Sequence, residues 1–175
     1  MKVDKETAVP NSLSVPSVAS FLIKIKSKEE IAKALSFAKE KNLPFFVLGN
    51  GTNIVPRDKV NGVVAILDLK GIRLDKNNLT AMAGEKWDNL VKFSIKKGFF
   101  GLEALSGIPG TVGAAPVQNI GAYGSEIANF LNKVEVYDRK NKKIKFLNNK
   151  ECRFGYRQSI FKKYPDKFII ISITL

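Results

Sequence analysis

Apolar and polar positions alternate from Ser20 to Lys26 (SFLIKIK), which predicts a strand. Ser27 then stands where a helix would begin, with Glu30 three residues on as its capping-box partner. Ile31, Ala34, Leu35 and Ala38 recur at helical spacing and predict one packed face, ending in the polar run Lys39-Glu40-Lys41-Asn42. Phe45 to Leu48 and Val63 to Leu67 are short apolar runs of the length of buried strands. The first lobe, residues 1–70, thus reads strand–helix–strand–loop–strand. Met1 to Asn11 is charged and polar, and no element is predicted there.

Residues 71–175 read as a second lobe. Leu79 to Ala83 is a weak strand candidate. Trp87, Leu90, Val91 and Ile95 form a helical stripe, with Gly98 as its stop and Trp87 as plain core packing. Lys133 to Tyr137 and Lys143 to Leu147 alternate around Asp138-Arg139-Lys140-Asn141, the pattern of a hairpin whose basic residues line a solvated edge. Phe168 to Leu175 is apolar and rich in β-branched residues. The chain stops in the middle of that run, from which an amino-terminal fragment of a longer protein is expected.

Composition narrows the chemistry. The 175 residues carry 29 Lys+Arg against 16 Asp+Glu, a net charge of +13. Such a field attracts polyanions, phosphorylated ligands or anionic surfaces without choosing among them. There is no histidine, so histidine-activated nucleophiles and the commonest zinc sites are excluded, and no metal is expected. The single cysteine, Cys152, forbids an internal disulfide and reads as a small buried residue. No signal peptide or membrane-length apolar run is visible, so the expected location is the cytoplasm.

Two loops carry candidate chemistry. Gly49-Asn50-Gly51-Thr52-Asn53 follows a strand directly. Its glycines permit positive φ, and consecutive N–H groups can nest phosphate oxygens, although the pentapeptide alone reads first as a tight turn. It lacks the Gly-Lys-Ser/Thr close of a Walker loop and opens no GxGxxG helix, which disfavours nucleotide hydrolysis and the Rossmann fold. The second loop runs from Ser106 to Gly124 with glycines, two prolines and no charge. A flexible linker would be polar, so ligand contact is the better reading.

The segment GLEALSGIPGTVGAAPVQNIGAYGSEI closely resembles the flavin-binding segment of the UDP-N-acetylenolpyruvoylglucosamine reductase (UDP-N-acetylmuramate dehydrogenase) family. VLGNGTNIVPRD resembles that family's first loop, with Thr52 in place of the common serine. Cys152-Arg153-Phe154-Gly155-Tyr156-Arg157-Gln158-Ser159-Ile160-Phe161-Lys162 resembles its signature at the substrate end of the flavin, and Asn11-Ser12-Leu13 its leading segment. The resemblance runs from about residue 11 to residue 175.

That resemblance implies the FAD-binding fold of the vanillyl-alcohol-oxidase (PCMH) type, with two α+β lobes gripping FAD and a third, substrate-binding lobe absent from these residues. It implies a reaction in which NADPH provides the hydride that passes by way of FAD to an enolpyruvyl double bond. The product is UDP-N-acetylmuramate for peptidoglycan synthesis. Gly49, Asn50, Gly51, Thr52 and Asn53 would contact the pyrophosphate. Ile108, Pro109, Gly110, Thr111, Gly113 and Ala114 would contact pyrophosphate and adenosine, with Gln118, Asn119, Gly121 and Ala122 nearer the flavin. Tyr156 and Arg157 would face the substrate, the arginine as a planar cation for a developing enolate. The family's proton-donating serine, in a Gly-Ser-Phe-Phe-like segment, and its late glutamate have no counterpart here, so turnover by this chain alone is not expected. A non-catalytic FAD- or pyrophosphate-binding module is the alternative. A basic nucleic-acid-binding protein is remote, since no such motif occurs.

Overall fold

The computed structural model describes residues 1–175, which divide into two compact units, Met1–Leu69 and Lys70–Leu175. In the first unit β1 (Val3–Ala8), β2 (Val18–Ile25), α1 (Lys28–Glu40), β3 (Phe45–Leu48) and β4 (Lys59–Leu67) follow in that order. The sheet order is β1-β2-β4-β3. β2 and β3 both run parallel to β4, in registers such as Ile23↔Ala65 and Val47↔Ala65, while β1 pairs antiparallel with β2. Helix α1 makes the crossover that parallel strands require. It buries Ile31, Ala34 and Ala38, three of the four positions the spacing selected; Leu35 is only half-buried.

Three expectations change here. The capping box at the start of α1 is not formed. The Ser27 side chain makes no cap bond, and Glu30 accepts instead from the Lys26 N–H at 2.7 Å. The Ser27 hydroxyl is engaged by Glu29, whose carboxyl it holds below the usual range. β3 is an edge strand, so Phe46 and Val47 are exposed although the run is apolar throughout. The polar start contains β1, whose ladder (Val3↔Ile23 to Ala8↔Val18) comes from antiparallel pairing with β2, the next strand.

The second unit holds β5 (Ile72–Asp75), β6 (Asn78–Met82), α2 (Trp87–Lys96), the small pair β7 (Gly121–Ala122) and β8 (Ser125–Glu126), β9 (Lys133–Asp138), β10 (Lys143–Asn148), α3 (Asn149–Cys152), α4 (Ile160–Lys163) and β11 (Phe168–Thr174). Its five-stranded sheet has the order β10-β9-β11-β6-β5, and every pairing in it is antiparallel. The expected hairpin is β9–β10, closed by the pair Asp138↔Lys143, with β10 on the sheet edge. Asp138 caps the turn by accepting from the N–H groups of Lys140 and Asn141, and it pairs with Lys145 at 3.0 Å.

The core of this unit gathers Trp87, Leu90 and Val91 of α2 with Leu105, Val112, Ile127, Val134, Val136, Cys152 and Ile173. Trp87 is 1 % exposed, and its indole N–H donates to the Leu105 carbonyl at 2.8 Å, satisfying the one polar atom of that ring. Gly98, at φ 77°, lies just past the end of α2 and makes the left-handed stop that only glycine takes without strain. No helix of the chain is long and apolar enough to cross a membrane.

Candidate flavin site

The first loop is held from behind. Gly51 has φ 67° and is buried; a Cβ there would lie 2.2 Å from the Pro10 carbonyl oxygen. Its own carbonyl accepts from the Ser12 N–H at 3.0 Å. Asn11 organises that neighbour, donating to the carbonyls of Val9 and Val15 and accepting from the Val15 N–H at 3.0 Å. The leading segment is therefore a brace for the glycine loop. The N–H groups of Gly49, Asn50 and Gly51 have no acceptor within the fold.

The second loop is a series of tight turns pinned to the start of α2. A 3₁₀ turn spans Leu102–Leu105 and another spans Ala115–Gln118. The Trp87 N–H donates to the Gly110 carbonyl at 3.1 Å. Asp88 accepts from the Gly107 N–H at 3.0 Å and from the Ser106 hydroxyl. Its bonds to Lys92, Gly107 and Ser106 hold its carboxyl below the usual carboxylate range. Val112 and Gly113 donate to the carbonyls of Glu85 and Ala83, each at 2.9 Å, and a Cβ on Gly113 would meet that of Ala83 at 2.7 Å. Ala114 donates to the Thr111 carbonyl. Ligand contact is the expectation for this loop, but its amides are not all open to one. Many are spent internally, and those left without an acceptor in the stretch before the second turn are Ile108, Gly110 and Thr111.

Beyond this, Asn119 is left-handed at φ 48° and 1 % exposed. β7 and β8 then bring Tyr123 to the tip of a two-residue turn, 94 % exposed. Tyr156 and Arg157 sit at the corner of a second tight turn, bounded by the bridge Gly155↔Gln158. Tyr156 is 88 % exposed, and the Arg157 guanidinium lies 5.8 Å from its ring centroid. Arg157 Nη2 donates to the Gly121 carbonyl at 3.0 Å, which leaves the rest of the fork toward solvent. The second unit thus brings Tyr156 and Arg157 beside the Gly121 end of its glycine-rich loop. Ser159 caps α4 by accepting from Phe161 and Lys162 N–H groups, a buried structural role. Cys152 is buried, and burial pushes its thiol up to about 12, which removes it as a nucleophile.

Sequence reasoning missed Asp88 and Asn11 as loop braces. Asp88 had a usable signal, an acidic residue in the first turn of a predicted helix. Asn11 had none beyond its place in the leading segment.

Glycine-rich turns that keep unspent N–H groups are built to approach phosphate oxygens. Residues 19–146 match the family described as FAD binding domain, and the chain belongs to that family. Its fold is the FAD-binding fold of the vanillyl-alcohol-oxidase type. Among curated relatives, the UDP-N-acetylenolpyruvoylglucosamine reductase of Xanthomonas campestris pv. campestris is 39 % identical over 168 residues, 93 % of this chain and 48 % of its own length. That of Buchnera aphidicola subsp. Baizongia pistaciae is 42 % identical over 162 residues, covering 90 % and 48 %. The chain spans about half the length of these relatives. Among solved structures, the UDP-N-acetylenolpyruvylglucosamine reductase of Thermus caldophilus superposes with a TM-score of 0.80 at 30 % identity, over 99 % of this chain and 61 % of that one. The 6-hydroxy-D-nicotine oxidase of Arthrobacter nicotinovorans, at 16 % identity and a TM-score of 0.74 over 99 % of this chain and 41 % of its own, shares the fold alone.

Proposed function

We propose that this chain is the FAD-binding portion of a cytoplasmic UDP-N-acetylmuramate dehydrogenase, in which UDP-N-acetylglucosamine enolpyruvate is reduced at the expense of NADPH for peptidoglycan synthesis. One observation carries the reading: each of the two glycine-rich loops keeps backbone N–H groups that the fold does not use. These are Gly49, Asn50 and Gly51 in one unit, and Ile108, Gly110 and Thr111 in the other. Backbone donors bind a pyrophosphate without a dedicated lysine and lose little freedom in doing so, because they are already fixed.

FAD, when bound, supplies hydride chemistry. Gly49, Asn50, Gly51, Thr52 and Asn53 would hold its pyrophosphate. Ile108, Pro109, Gly110, Thr111, Gly113 and Ala114 would serve pyrophosphate and adenosine. Gln118, the Asn119 backbone, Gly121 and Ala122 would lie toward the ring system. Arg157 would bind the substrate carboxylate and take up the negative charge that grows there as the double bond is reduced, a task for which a permanent, planar, multidentate cation is suited. Tyr156, on the same turn, would pack on the substrate. The protonating group would come from residues other than these 175.

A visible absorption spectrum of the purified chain, with a thermal melt in the presence and absence of added FAD, tests the proposal. Ligand at a hundred times its dissociation constant stabilises a fold by about 2.7 kcal/mol, a clear shift in melting temperature. A flavin spectrum or that shift is the expected result. Neither, at millimolar FAD, would refute flavin binding by this chain.

A further inference from the structure

Three segments distant in sequence meet at Asn119. Its side-chain Nδ2 donates to the Gly155 carbonyl at 3.1 Å, and its Oδ1 accepts from the Ala128 N–H at 3.2 Å. One donor and one acceptor of this buried amide are thus engaged by protein backbone. Gly155 opens the turn that carries Tyr156 and Arg157. The turn holds itself by two bonds, Gln158 N–H to Gly155 carbonyl at 3.0 Å and Gly155 N–H to Gln158 carbonyl at 3.2 Å. Arg157 adopts φ 52° there, a backbone that a long side chain keeps only when its surroundings impose it.

Those surroundings are the far arm of the glycine-rich loop. Asn119 reaches Gly155, Arg157 donates to the Gly121 carbonyl, and the Ser159 hydroxyl donates to the Val117 carbonyl. Of the three, the Arg157 bond is exposed and can exchange with water, and the Ser159 bond fixes the residue after the turn rather than the turn itself. The Asn119 bond is the internal tie to the turn's first residue. Its second bond, to Ala128, prevents the amide from rotating away.

We propose that Asn119 is a positioning residue that couples the Ile108–Ala122 loop to the Tyr156–Arg157 turn, so that a ligand held by the loop also orders the arginine that faces the substrate. The coupling rests on the flavin reading above. A ligand that narrows the motion of the loop backbone narrows the motion of Asn119, and a buried amide bonded at both ends passes this on, since letting go of Gly155 would leave a buried donor without a partner.

Hydrogen exchange of the full 175-residue chain, with and without saturating FAD, tests this. FAD is expected to slow exchange in peptides spanning 107–121 and also in those spanning 155–158. Asn119→Asp keeps the acceptor for Ala128 but cannot donate to Gly155. In that variant FAD should still protect the loop, while its effect on the turn is lost. Asn119→Gly, which retains the left-handed backbone, is the second variant and should behave alike if Asn119→Asp does not fold. An asparagine with a merely structural role would raise exchange of the turn equally with and without FAD. Protection of the wild-type loop without the turn, or FAD protection of the turn undiminished in the folded variant, would overturn the coupling. Absence of any FAD effect in the wild type, with no flavin spectrum, would instead bring down the flavin reading and the coupling with it.

Discussion

Gly51, Cys152 and Asp138 each meet a different constraint, and each makes a separate prediction. At Gly51 a side chain is excluded twice, by the positive φ and by the Pro10 carbonyl 2.2 Å from where Cβ would sit. Gly51→Ala should cost about 2 kcal/mol or more, the range of backbone strain and overpacking combined, read as a lower urea midpoint. Because the loop itself must shift, FAD affinity should fall as well. A fully stable variant would show that the brace of Pro10 and Asn11 yields. Cys152 is buried with its thiol pushed up to about 12, so a disulfide reagent at pH 8 should modify the native chain only as fast as the chain unfolds. Rapid stoichiometric labelling without denaturant would contradict its burial. Asp138 titrates the other way. Burial works to raise its carboxyl, but the Asn141 and Lys145 bonds outweigh it and hold the group at about 2. A carboxyl lowered on folding contributes stability that is fully present above its unfolded value, about 4, and is lost as pH falls toward 2. Asp138→Asn should therefore be less stable than the parent at pH 7, and the difference should shrink between pH 4 and pH 2 in acid melts.

At the level of elements, the start of α2 decides the shape of the second loop. Trp87 and Asp88, adjacent in sequence, hold Leu105, Ser106, Gly107 and Gly110 by backbone and side-chain bonds. Asp88→Ala removes the exposed half of this staple and leaves the tryptophan. Several-fold weaker FAD binding with a nearly unchanged melt is expected, measured by fluorescence titration; unaltered affinity would mean that the tryptophan bonds alone define the loop. Elements whose pattern is local were legible in the sequence. The helical spacing of Ile31, Ala34 and Ala38, the stop at Gly98 and the β9–β10 hairpin follow from periods and turn residues that the backbone must obey. Long-range partners decided the rest. Val3–Ala8 is polar enough to read as a tail, and becomes a strand only because β2 offers an edge. Phe45–Leu48 is apolar enough to read as interior, yet closes the sheet on one side. The glycine-rich loop announced itself by composition, but not which of its amides the fold would consume. That depended on Ala83 and Glu85, more than twenty positions earlier, lying alongside Val112 and Gly113.

Across the whole molecule the charge of +13 favours the approach of a ligand that carries a pyrophosphate. In each unit the glycine-rich loop offers backbone amides without an internal acceptor, while most of the cations stand on other elements. Lys140, Lys142 and Lys143 stand at the β9–β10 turn, Lys39 and Lys41 at the end of α1, and Lys96 and Lys97 at the end of α2. Charges so dispersed draw an anion toward the protein but do not bind it once it has arrived, since water and salt screen them beyond about 8 Å at physiological ionic strength. Amides at contact distance act in the opposite sense, holding the bound state with little regard to salt. Raising the salt from about 0.05 to about 0.5 M should therefore slow FAD association markedly and leave its dissociation nearly unchanged, as separated by stopped-flow flavin fluorescence. Dissociation that accelerates with salt while association stays constant would place a lysine or arginine directly on the phosphates, and would move the anchoring role from the glycine-rich loops to a side chain.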